Sequence, residues 1–329
     1  MIRRRSFLIS ATAAAGVALA QPVLGKVARR NPLTRKERVD RALAGKDVDR
    51  PPFTHWHHFG PQTPEEHAKA TLEFHRQYKT DIVKVMSDFP YPKPRGKWYE
   101  LAVVDNPFPQ QIRALELIRD GLNGQAYFIE TIFNPWNVAE KLSSKEDVLK
   151  LKDSNPAALL NALDVIAESQ IRHVKRAFHT GASGVLFSVA NANKAELSVA
   201  DYAKFSRPSD KKLLAGIVGA KLNILHLHVE PAYLDQFHDF AFTILNYSDE
   251  VSGVPFPTVR AHYPAPVLAG GIDEVHYKSL TPDQIRSQWK AAAAAAGPKY
   301  ILTPGCSVPN DSSTVELARL PGVLGIRTA

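Results

Sequence analysis

Short apolar segments alternate with longer helix-like segments along most of the sequence, and this alternation constrains the fold more than any other feature. Eight runs are rich in aliphatic and β-branched residues and are bounded by turn residues, as is typical of strands. They cover residues 52–57, 82–87, 126–133, 184–188, 223–228, 243–247, 266–270 and 300–303. Because strands separated by helices usually pair in parallel, the pattern predicts a parallel sheet covered by helices.

Helix-start signals occur between the predicted strands. Thr34-Arg-Lys-Glu37 and Thr63-Pro-Glu-Glu66 have the spacing of capping boxes. Further helices are predicted over 107–122, 156–180, 198–220 and 281–296. Eight strand–helix units in about 300 residues suit an α/β fold of the (β/α)8 TIM-barrel type, in a single domain over residues 33–329.

A doubly wound open sheet is the alternative architecture. That fold would carry a Gly-x-Gly-x-x-Gly turn after its first strand, whereas Gly60 stands alone at this place. The barrel is therefore favoured, and we expect neither a nicotinamide nor a flavin cofactor.

The first 20 residues have the pattern of an export signal. Arg3-Arg-Arg5 precedes an apolar, acid-free run that ends in Ala18-Leu-Ala20, a small-residue cleavage site. The segment also resembles the twin-arginine motif, whose machinery exports folded proteins. We expect a signal peptide over 1–20, a linker over 21–32 and a periplasmic protein that is not membrane-bound after cleavage. An ordinary secretory signal or an uncleaved anchor is the alternative.

Charge and cysteine content narrow the function further. The net charge is +8, but no dense basic block follows the amino-terminal segment and acidic residues are scattered throughout. This balance favours a small-molecule substrate and no nucleic-acid partner. The only cysteine, Cys306, cannot form an intrachain disulfide, so it is a buried free thiol, a reactive thiol or a metal ligand.

In a barrel of this type the active site forms at the carboxyl ends of the strands. Polar and aromatic residues concentrate at those predicted ends, and we take Asp88 as the candidate acid or base. The candidate substrate-binding residues are His55, His57, His58, Trp136, Asn193 and Asn246.

A metal site is predicted from three of the strand-end residues. His226 and His228 lie two apart on one strand and therefore share a face. Cys306, at the end of another strand, could complete three ligands for zinc and leave a fourth position open for catalysis. Hydrogen-bonded histidines beside a buried cysteine are the alternative.

Other candidates also have two readings. Asp88 could close a turn through backbone amides, and Trp136 could serve packing alone. The histidines of 55–58 could form a second metal site, a carboxylate-binding cluster or an exposed rim. Lys84 could be a buried catalytic amine or a lysine whose charged end reaches solvent.

An ordered set of motifs resembles the uroporphyrinogen decarboxylase superfamily. The motifs are Arg50-Pro-Pro52, Asp81-Ile-Val-Lys-Val-Met-Ser-Asp88, Pro135-Trp136, Gly181-Ala-Ser-Gly184, Gly270-Gly-Ile-Asp273 and Tyr300-Ile-Leu-Thr-Pro-Gly-Cys306. The resemblance runs from about Leu33 to the carboxyl terminus and implies a (β/α)8 barrel. The superfamily contains metal-free porphyrinogen decarboxylases and zinc-dependent methyltransferases that act between a corrinoid or methylamine-derived donor and a thiol such as coenzyme M. Its members include dimers, which implies a homodimer here.

The two branches of the superfamily differ at the site. The decarboxylases bind substrate carboxylates through an Arg-Gln-Ala-Gly-Arg segment, where this sequence has His57-His58-Phe-Gly60, and Asp88 matches their pyrrole-binding aspartate. The methyltransferases carry His-x-Cys and a later Cys, which match His226, His228 and Cys306, with His228 in place of Cys. This His2Cys set still suits zinc and makes it a stronger Lewis acid.

The resemblance and the residues together predict an exported enzyme with zinc-dependent group transfer of the methyltransferase type. One alternative is a metal-free decarboxylase of a pyrrole, a porphyrinogen or another carboxylic acid. A second alternative is a periplasmic binding or metal-handling protein without turnover.

Overall fold

The computed structural model of the chain describes residues 32–60, 63–228 and 233–328. The predicted signal peptide over 1–20 and all but the last residue of the predicted linker over 21–32 lie outside the described residues. Among the described helices, none combines the length and apolar character needed to cross a membrane.

The core of the fold is a parallel sheet whose strands follow one another in sequence order. Its members are β1 (Ile82–Val85), β2 (Tyr127–Phe133), β3 (Val185–Val189), β4 (Ile224–Leu227), β5 (Ile244–Tyr247), β6 (Val267–Ile272) and β7 (Tyr300–Pro304). Every strand pairs in parallel with the next. Seven of the eight predicted strands are thus confirmed, within a TIM-barrel-like α/β fold.

The sheet is strongly curled. One buried apolar cluster receives a side chain from every strand, including Ile82 of β1 and Ile301 of β7 at the two ends of the strand order. Such residues can meet only if the sheet bends round on itself. Trp56 packs into the same cluster and covers it on the side of the strands' carboxyl ends.

The predicted strand over 52–57 is the part of the strand prediction that was wrong. Only Phe53 forms a bridge, in parallel with Leu302 of β7. Pro52 has no N–H to donate, and the N–H of Phe53 donates to the side chain of Asp81 at 3.0 Å rather than to a backbone carbonyl. The segment therefore lies between β7 and β1 without a continuous ladder to either.

Helices occupy most of the connections between strands. The described residues form α1 (Arg35–Leu43), α2 (Pro64–Tyr78), α3 (Pro109–Leu122), α4 (Pro135–Leu142), α5 (Lys145–Ser154), α6 (Pro156–His179), α7 (Val199–Asp201), α8 (Arg207–Gly216), α9 (Asp249–Ser252), α10 (Phe256–His262), α11 (Pro282–Ala296), α12 (Thr314–Leu317) and α13 (Arg319–Val323). A π-helix over Tyr202–Ser206 joins α7 to α8, and 3-10 helices cover Leu234–Phe237 and Tyr277–Ser279.

Capping chemistry explains where the predicted helices start. The capping boxes at Thr34, Thr63 and Thr281 open α1, α2 and α11, each with both reciprocal hydrogen bonds. The helix predicted over 198–220 is instead broken by the π-helix and ends at Gly216. Helices α4 and α5 were not predicted, although Asn134 and Ser144 cap them.

A buried ion cluster fixes the amino end of β1. The fully buried carboxylate of Asp81 accepts hydrogen bonds from Arg38 at 2.6 Å, from Arg50 at 2.5 Å and from the N–H of Phe53 at 3.0 Å. Asp49 accepts two more bonds from Arg38, at 2.7 and 2.8 Å. Each charge at this end of the strand thus has an opposite charge beside it.

Candidate active site

Two adjacent cavities open at the carboxyl ends of the strands. The aspartate cavity, about 350 Å³, is lined by Asp88 and by apolar side chains from the β1 and β2 ends and from α4. The cysteine cavity, about 330 Å³, is lined by His226, His228 and Cys306. The residues shared by both walls are His58, Met86, Phe133 and Lys141. Two ligands bound side by side would therefore touch the same four side chains.

The three predicted metal ligands come together in the cysteine cavity. One ligand atom from each of His226, His228 and Cys306 lies within 4.8 Å of the others. The sulfur of Cys306 is 3.6 Å from Nε2 of His226 and 2.9 Å from Nδ1 of His228. The backbone of His228 continues the ladder of β4 by donating to Val189 at 3.0 Å, so the two imidazoles keep the same face.

Asn246 sets the tautomer of His226. Its side-chain N–H groups donate to the carbonyl of Ala269 at 2.9 Å and to the hydroxyl of Thr303 at 3.2 Å, which fixes the direction of the amide. Its oxygen must then accept the N–H at Nδ1 of His226, at 2.6 Å. Nε2 is left with a free lone pair directed at Cys306, as a metal-ligating histidine requires.

Asn246 was predicted to contact substrate, but it lines neither cavity. It is fully buried on β5, directly opposite His226 in the register of β4 and β5. In this position it can orient His226 but cannot reach a ligand in either cavity.

Burial sets the protonation of the cluster. Burial, reinforced by His228, lowers the pKa of His226 to about 3, and burial also lowers the pKa of His228. Burial raises the pKa of the Cys306 thiol to about 11, with a further increase from Glu274 and an opposing effect of Lys84. At neutral pH the cluster thus offers two neutral imidazoles, and the thiol proton must leave when a metal binds.

Lys84 is a cation without an acidic partner in the wall of the cysteine cavity. Its ammonium donates to the sulfur of Met86 at 3.1 Å and lies 5.9 Å from the centre of the Trp56 ring. Within the described part of the chain, no carboxylate forms an ion pair with it. Burial lowers the pKa of Lys84 to about 8, opposed by the charges of Cys306 and Asp88.

Lys141 lines both cavities and is the second cation of the cysteine cavity. Its ammonium lies 3.2 Å from the centre of the Phe133 ring, a cation–π contact on the shared wall. No described carboxylate forms an ion pair with Lys141 either. Because Lys84 and Lys141 line one cavity, that cavity is suited to an anionic group.

Asp88 points into the aspartate cavity. Its Oδ2 atom is buried and has no hydrogen-bond partner among the described residues. The nearest base is Nε2 of His67 at 4.0 Å, which is already engaged with the carbonyl of Met86 at 2.6 Å. Burial raises the pKa of Asp88, opposed by His67, Lys84 and Lys141. The carboxyl group is therefore available to a ligand.

The histidines at the end of the first predicted strand and just beyond it divide between two faces. His55 is buried among the rings of Phe53, Phe74, Tyr78 and Tyr277, at centroid distances of 5.8 to 6.2 Å. His57 stacks on Phe74 of α2 at 5.4 Å. Neither lines a cavity. The alternating residue His58 lines both cavities, and its Nε2 is 2.9 Å from the hydroxyl of Ser307.

Trp136 and Asn193 lie apart from both cavities. Trp136 is the second residue of α4, which begins at Pro135, and its indole is buried. The indole N–H donates to Glu140 at 2.8 Å. Asn193 donates to the carbonyl of Ala190 at 2.8 Å and accepts from the backbone of Ala195 at 3.0 Å, so it holds its own loop.

Some residues of the cavity walls were not chosen from the sequence. Lys84 is not among the predicted site residues, although it is the only charged residue of β1, which is a usable signal. Lys141 and Asn137 lie on α4, which was not predicted, so no sequence signal connected them with the site.

Comparison with known proteins places residues 90–321 within the family model of uroporphyrinogen decarboxylase (URO-D). A curated uroporphyrinogen decarboxylase from Cellvibrio japonicus is 28% identical over 121 residues, which cover 35% of this chain and 33% of that protein. The match thus spans about a third of the curated relative.

Solved structures share the fold. A methyltransferase from Methanosarcina mazei superposes with a TM-score of 0.73 at 18% identity, over 88% of this chain and 98% of that chain. A B12-independent methionine synthase from a Shewanella species, solved with selenomethionine, gives a TM-score of 0.57 at 11% identity, over 79% and 85% of the two chains. At these identities the likeness establishes the fold alone.

Proposed function

This chain belongs to the uroporphyrinogen decarboxylase family, and from that premise we propose that it is an exported, zinc-dependent group-transfer enzyme of the methyltransferase type. The observation that carries the proposal is the convergence of His226, His228 and Cys306 in a cavity at the carboxyl ends of the strands. A small molecule with an anionic group is the proposed substrate.

The donor set fits zinc. Two imidazole nitrogens and one thiolate, with a fourth position open, form a ligand set found in catalytic zinc sites. Two ligand atoms on one tetrahedral zinc lie about 3.3 to 3.7 Å apart, given bonds of about 2.0 to 2.3 Å. The sulfur–nitrogen distances of 3.6 and 2.9 Å need a change of less than about 1 Å to reach this range. Zinc bound there would act as a Lewis acid and lower the pKa of a substrate thiol or of water.

The lysines of the cysteine cavity support an anionic substrate. A partly buried ammonium without a counter-charge is unfavourable, and an anion bound beside it removes much of that cost. Lys84 and Lys141 would bind a carboxylate, sulfonate or phosphate on the substrate, while His58 and Ser307 offer hydrogen bonds beside Cys306. These contacts would place the reacting end of the substrate at the His2Cys cluster.

The transfer itself needs a donor next to the acceptor. The substrate sulfur attacks the methyl carbon, a carbon–sulfur bond forms, and the bond from that carbon to the leaving group breaks with its electron pair. The aspartate cavity shares a wall with the cysteine cavity and is mostly apolar, so it suits the body of the donor. Asp88, whose pKa is raised by burial, would deliver a proton to the leaving group.

Metal analysis tests the proposal. Protein exported by its host and purified without chelator should carry zinc, and His226→Ala and Cys306→Ser should each contain one zinc fewer per chain than wild type. His276→Ala is the matched control, since His276 pairs with Asp273 at 2.7 Å outside both cavities and should leave zinc unchanged. Retention of the full metal content by both ligand variants would refute the proposal.

A metal-free decarboxylase is the second candidate, and the unpartnered buried oxygen of Asp88 favours it. In that reaction Asp88 would bind the pyrrole N–H groups of a carboxylated substrate, with Lys93 and Lys141 at its carboxylates. Asp88→Asn should then abolish release of carbon dioxide from a carboxylated pyrrole without changing zinc content. Full release by this variant would remove the candidate.

Export is part of the proposal and has its own test. We propose a signal peptide over 1–20, a linker over 21–32 and a periplasmic domain over 33–329, assembled as a homodimer. Replacing Arg4 and Arg5 by lysine should block export through the twin-arginine machinery, whereas Lys26→Arg should not. Unchanged periplasmic yield of the double variant would contradict this route.

A further inference from the structure

A second group of metal-ligating side chains lies outside both cavities. Asp235, His238 and His262 each place one ligand atom within 4.8 Å of the others. Within the described residues, this is the other place besides the cysteine cavity where three such groups converge. The mechanism proposed above makes no use of them.

The spacing of these atoms fits one shared ion better than direct hydrogen bonds. Oδ1 of Asp235 is 3.6 Å from Nε2 of His238 and 3.6 Å from Nδ1 of His262. A hydrogen bond between such atoms is normally about 2.7 to 3.2 Å long. Ligand atoms on one tetrahedral ion are about 3.3 Å apart when each bond is about 2.0 Å. These two oxygen–nitrogen separations are therefore closer to the spacing on a common ion than to the length of a hydrogen bond.

The segments that carry the three ligands are held together without an ion. Asp235 lies on the 3-10 helix and His262 ends α10. Tyr263 connects them, because its hydroxyl donates to the carbonyl of Leu234 and its ring stacks on His238 at 4.8 Å. The backbone of the site is thus formed in advance, although its three ligand side chains are exposed, and this removes part of the entropy cost of binding an ion.

The group lies at the opposite end of the sheet from the cysteine cavity. His238 and His262 line a groove of about 500 Å³ that also includes Thr243, just before β5, and Val267, at the start of β6. These are the amino ends of the strands. Three protein ligands leave at least one coordination position of an ion open, beside the groove that His238 and His262 line.

We propose that Asp235, His238 and His262 form a second, surface site for a divalent ion of the zinc type. Two imidazoles and one carboxylate form a borderline donor set that suits Zn²⁺ better than Mg²⁺ or Ca²⁺, which prefer oxygen ligands. Asp235 supplies a negative charge, and the bound ion links the 3-10 helix to α10. The ion at this site stabilises the fold locally and is independent of the ion in the cysteine cavity.

Titration of the full chain with Zn²⁺ and Co²⁺ tests this site separately from the proposed catalytic one. A His226→Ala/Cys306→Ser variant should still bind one Zn²⁺ per chain, and its melting temperature should rise with Zn²⁺. Adding His238→Ala or His262→Ala should weaken that binding at least tenfold and abolish the rise. His276→Ala, which removes half of an exposed His–Asp pair without a third ligand, should leave both unchanged.

Cobalt distinguishes the two sites because only the cysteine cavity contains a thiolate. In wild type one equivalent of Co²⁺ should give a thiolate charge-transfer band and a second equivalent should give none. If the catalytic site is wrong, the band is missing and the histidine-dependent equivalent remains. If the Zn²⁺ affinity of the double variant is unaffected by His238→Ala and His262→Ala, or if that variant binds no Zn²⁺, the second site is refuted.

Discussion

The two ends of β1 treat buried charge in opposite ways. At the amino end, the carboxylate of Asp81 contacts two guanidinium groups and a backbone N–H. At the carboxyl end, Lys84 has a methionine sulfur and an indole ring beside it, and Asp88 has a buried oxygen without a hydrogen-bond partner in the described part of the chain. Paired charges hold the fold, whereas unpaired charges reduce stability and remain available to a ligand. The difference separates the end of the strand that holds the fold from the end that carries the candidate site.

Removing Asp81 should have the largest effect on stability. Asp81→Ala leaves Arg38 and Arg50 without their shared acceptor in a buried position, and should lower the free energy of unfolding by about 3 kcal/mol. Urea unfolding at neutral pH measures this. Asp164→Ala, which breaks the exposed pair with Lys212, is the control and should cost less than about 1 kcal/mol. Equal losses in the two variants would remove the distinction between the ends of β1.

Replacing Lys84 should raise the free energy of unfolding rather than lower it. Its pKa is lowered from 10.5 to about 8, so the folded state disfavours the protonated amine. Lys84→Met should raise the free energy of unfolding at pH 7 by roughly 2 kcal/mol, less than full burial would give because the cavity admits some solvent.

The pH dependence of that gain follows from the same pKa shift. Below pH 8 the wild type bears the full cost of burying the protonated amine of Lys84. This cost disappears as the pH rises toward 10.5, because the unfolded chain then loses its proton as well. The advantage of Lys84→Met should therefore shrink over this range. Urea unfolding at several pH values is the measurement, with the exposed Lys278→Met as control. If Lys84→Met is less stable than wild type at pH 7, the comparison between the two ends of β1 is contradicted.

The smallest expected effect concerns Asn246, which hydrogen-bonds the proposed metal ligand His226. Asn246→Ala removes the acceptor that fixes the tautomer of His226 and should weaken zinc binding tenfold or more, at least about 1.4 kcal/mol. Competition with a chromogenic chelator measures the affinity. Asn193→Ala removes a buried asparagine that lines neither cavity and should leave zinc affinity as it is. Equal affinities in all three proteins would show that the hydrogen bond to His226 has no role.

Local signals in the sequence were enough for much of the fold. Reciprocal capping at Thr34 and Thr63 and apolar runs for seven strands depend on neighbouring residues, so sequence alone predicts them. The segment over 52–57 failed because its N–H partner is a side chain that lies 28 residues away. Helix α4 was not predicted, because its cap Asn134 and its first residue Pro135 directly follow the predicted strand over 126–133.

The site was harder to predict for a geometric reason. Alternation places His55 and His57 on one face of the segment, but it does not show which face turns inward. In the structure both rings contact Phe74 of α2. The role of Asn246 depends on the register between β4 and β5, which no single strand encodes. Cys306 and the two histidines could be selected because few residue types bind zinc.

The short segment that begins at Phe53 runs on to His58, so one end is tied to the ion cluster while the other forms part of both cavity walls. Beyond its bridge at Phe53 the segment has no ladder to the sheet, and the carbonyl of Trp56 accepts from the N–H of Val308 at 3.0 Å. Weakening the contacts of Asp81 should therefore make the position of the His58 ring less well defined before the fold as a whole unfolds. Substrate recognition in this protein would then be sensitive to changes made at the far end of a strand, among residues that never meet the substrate.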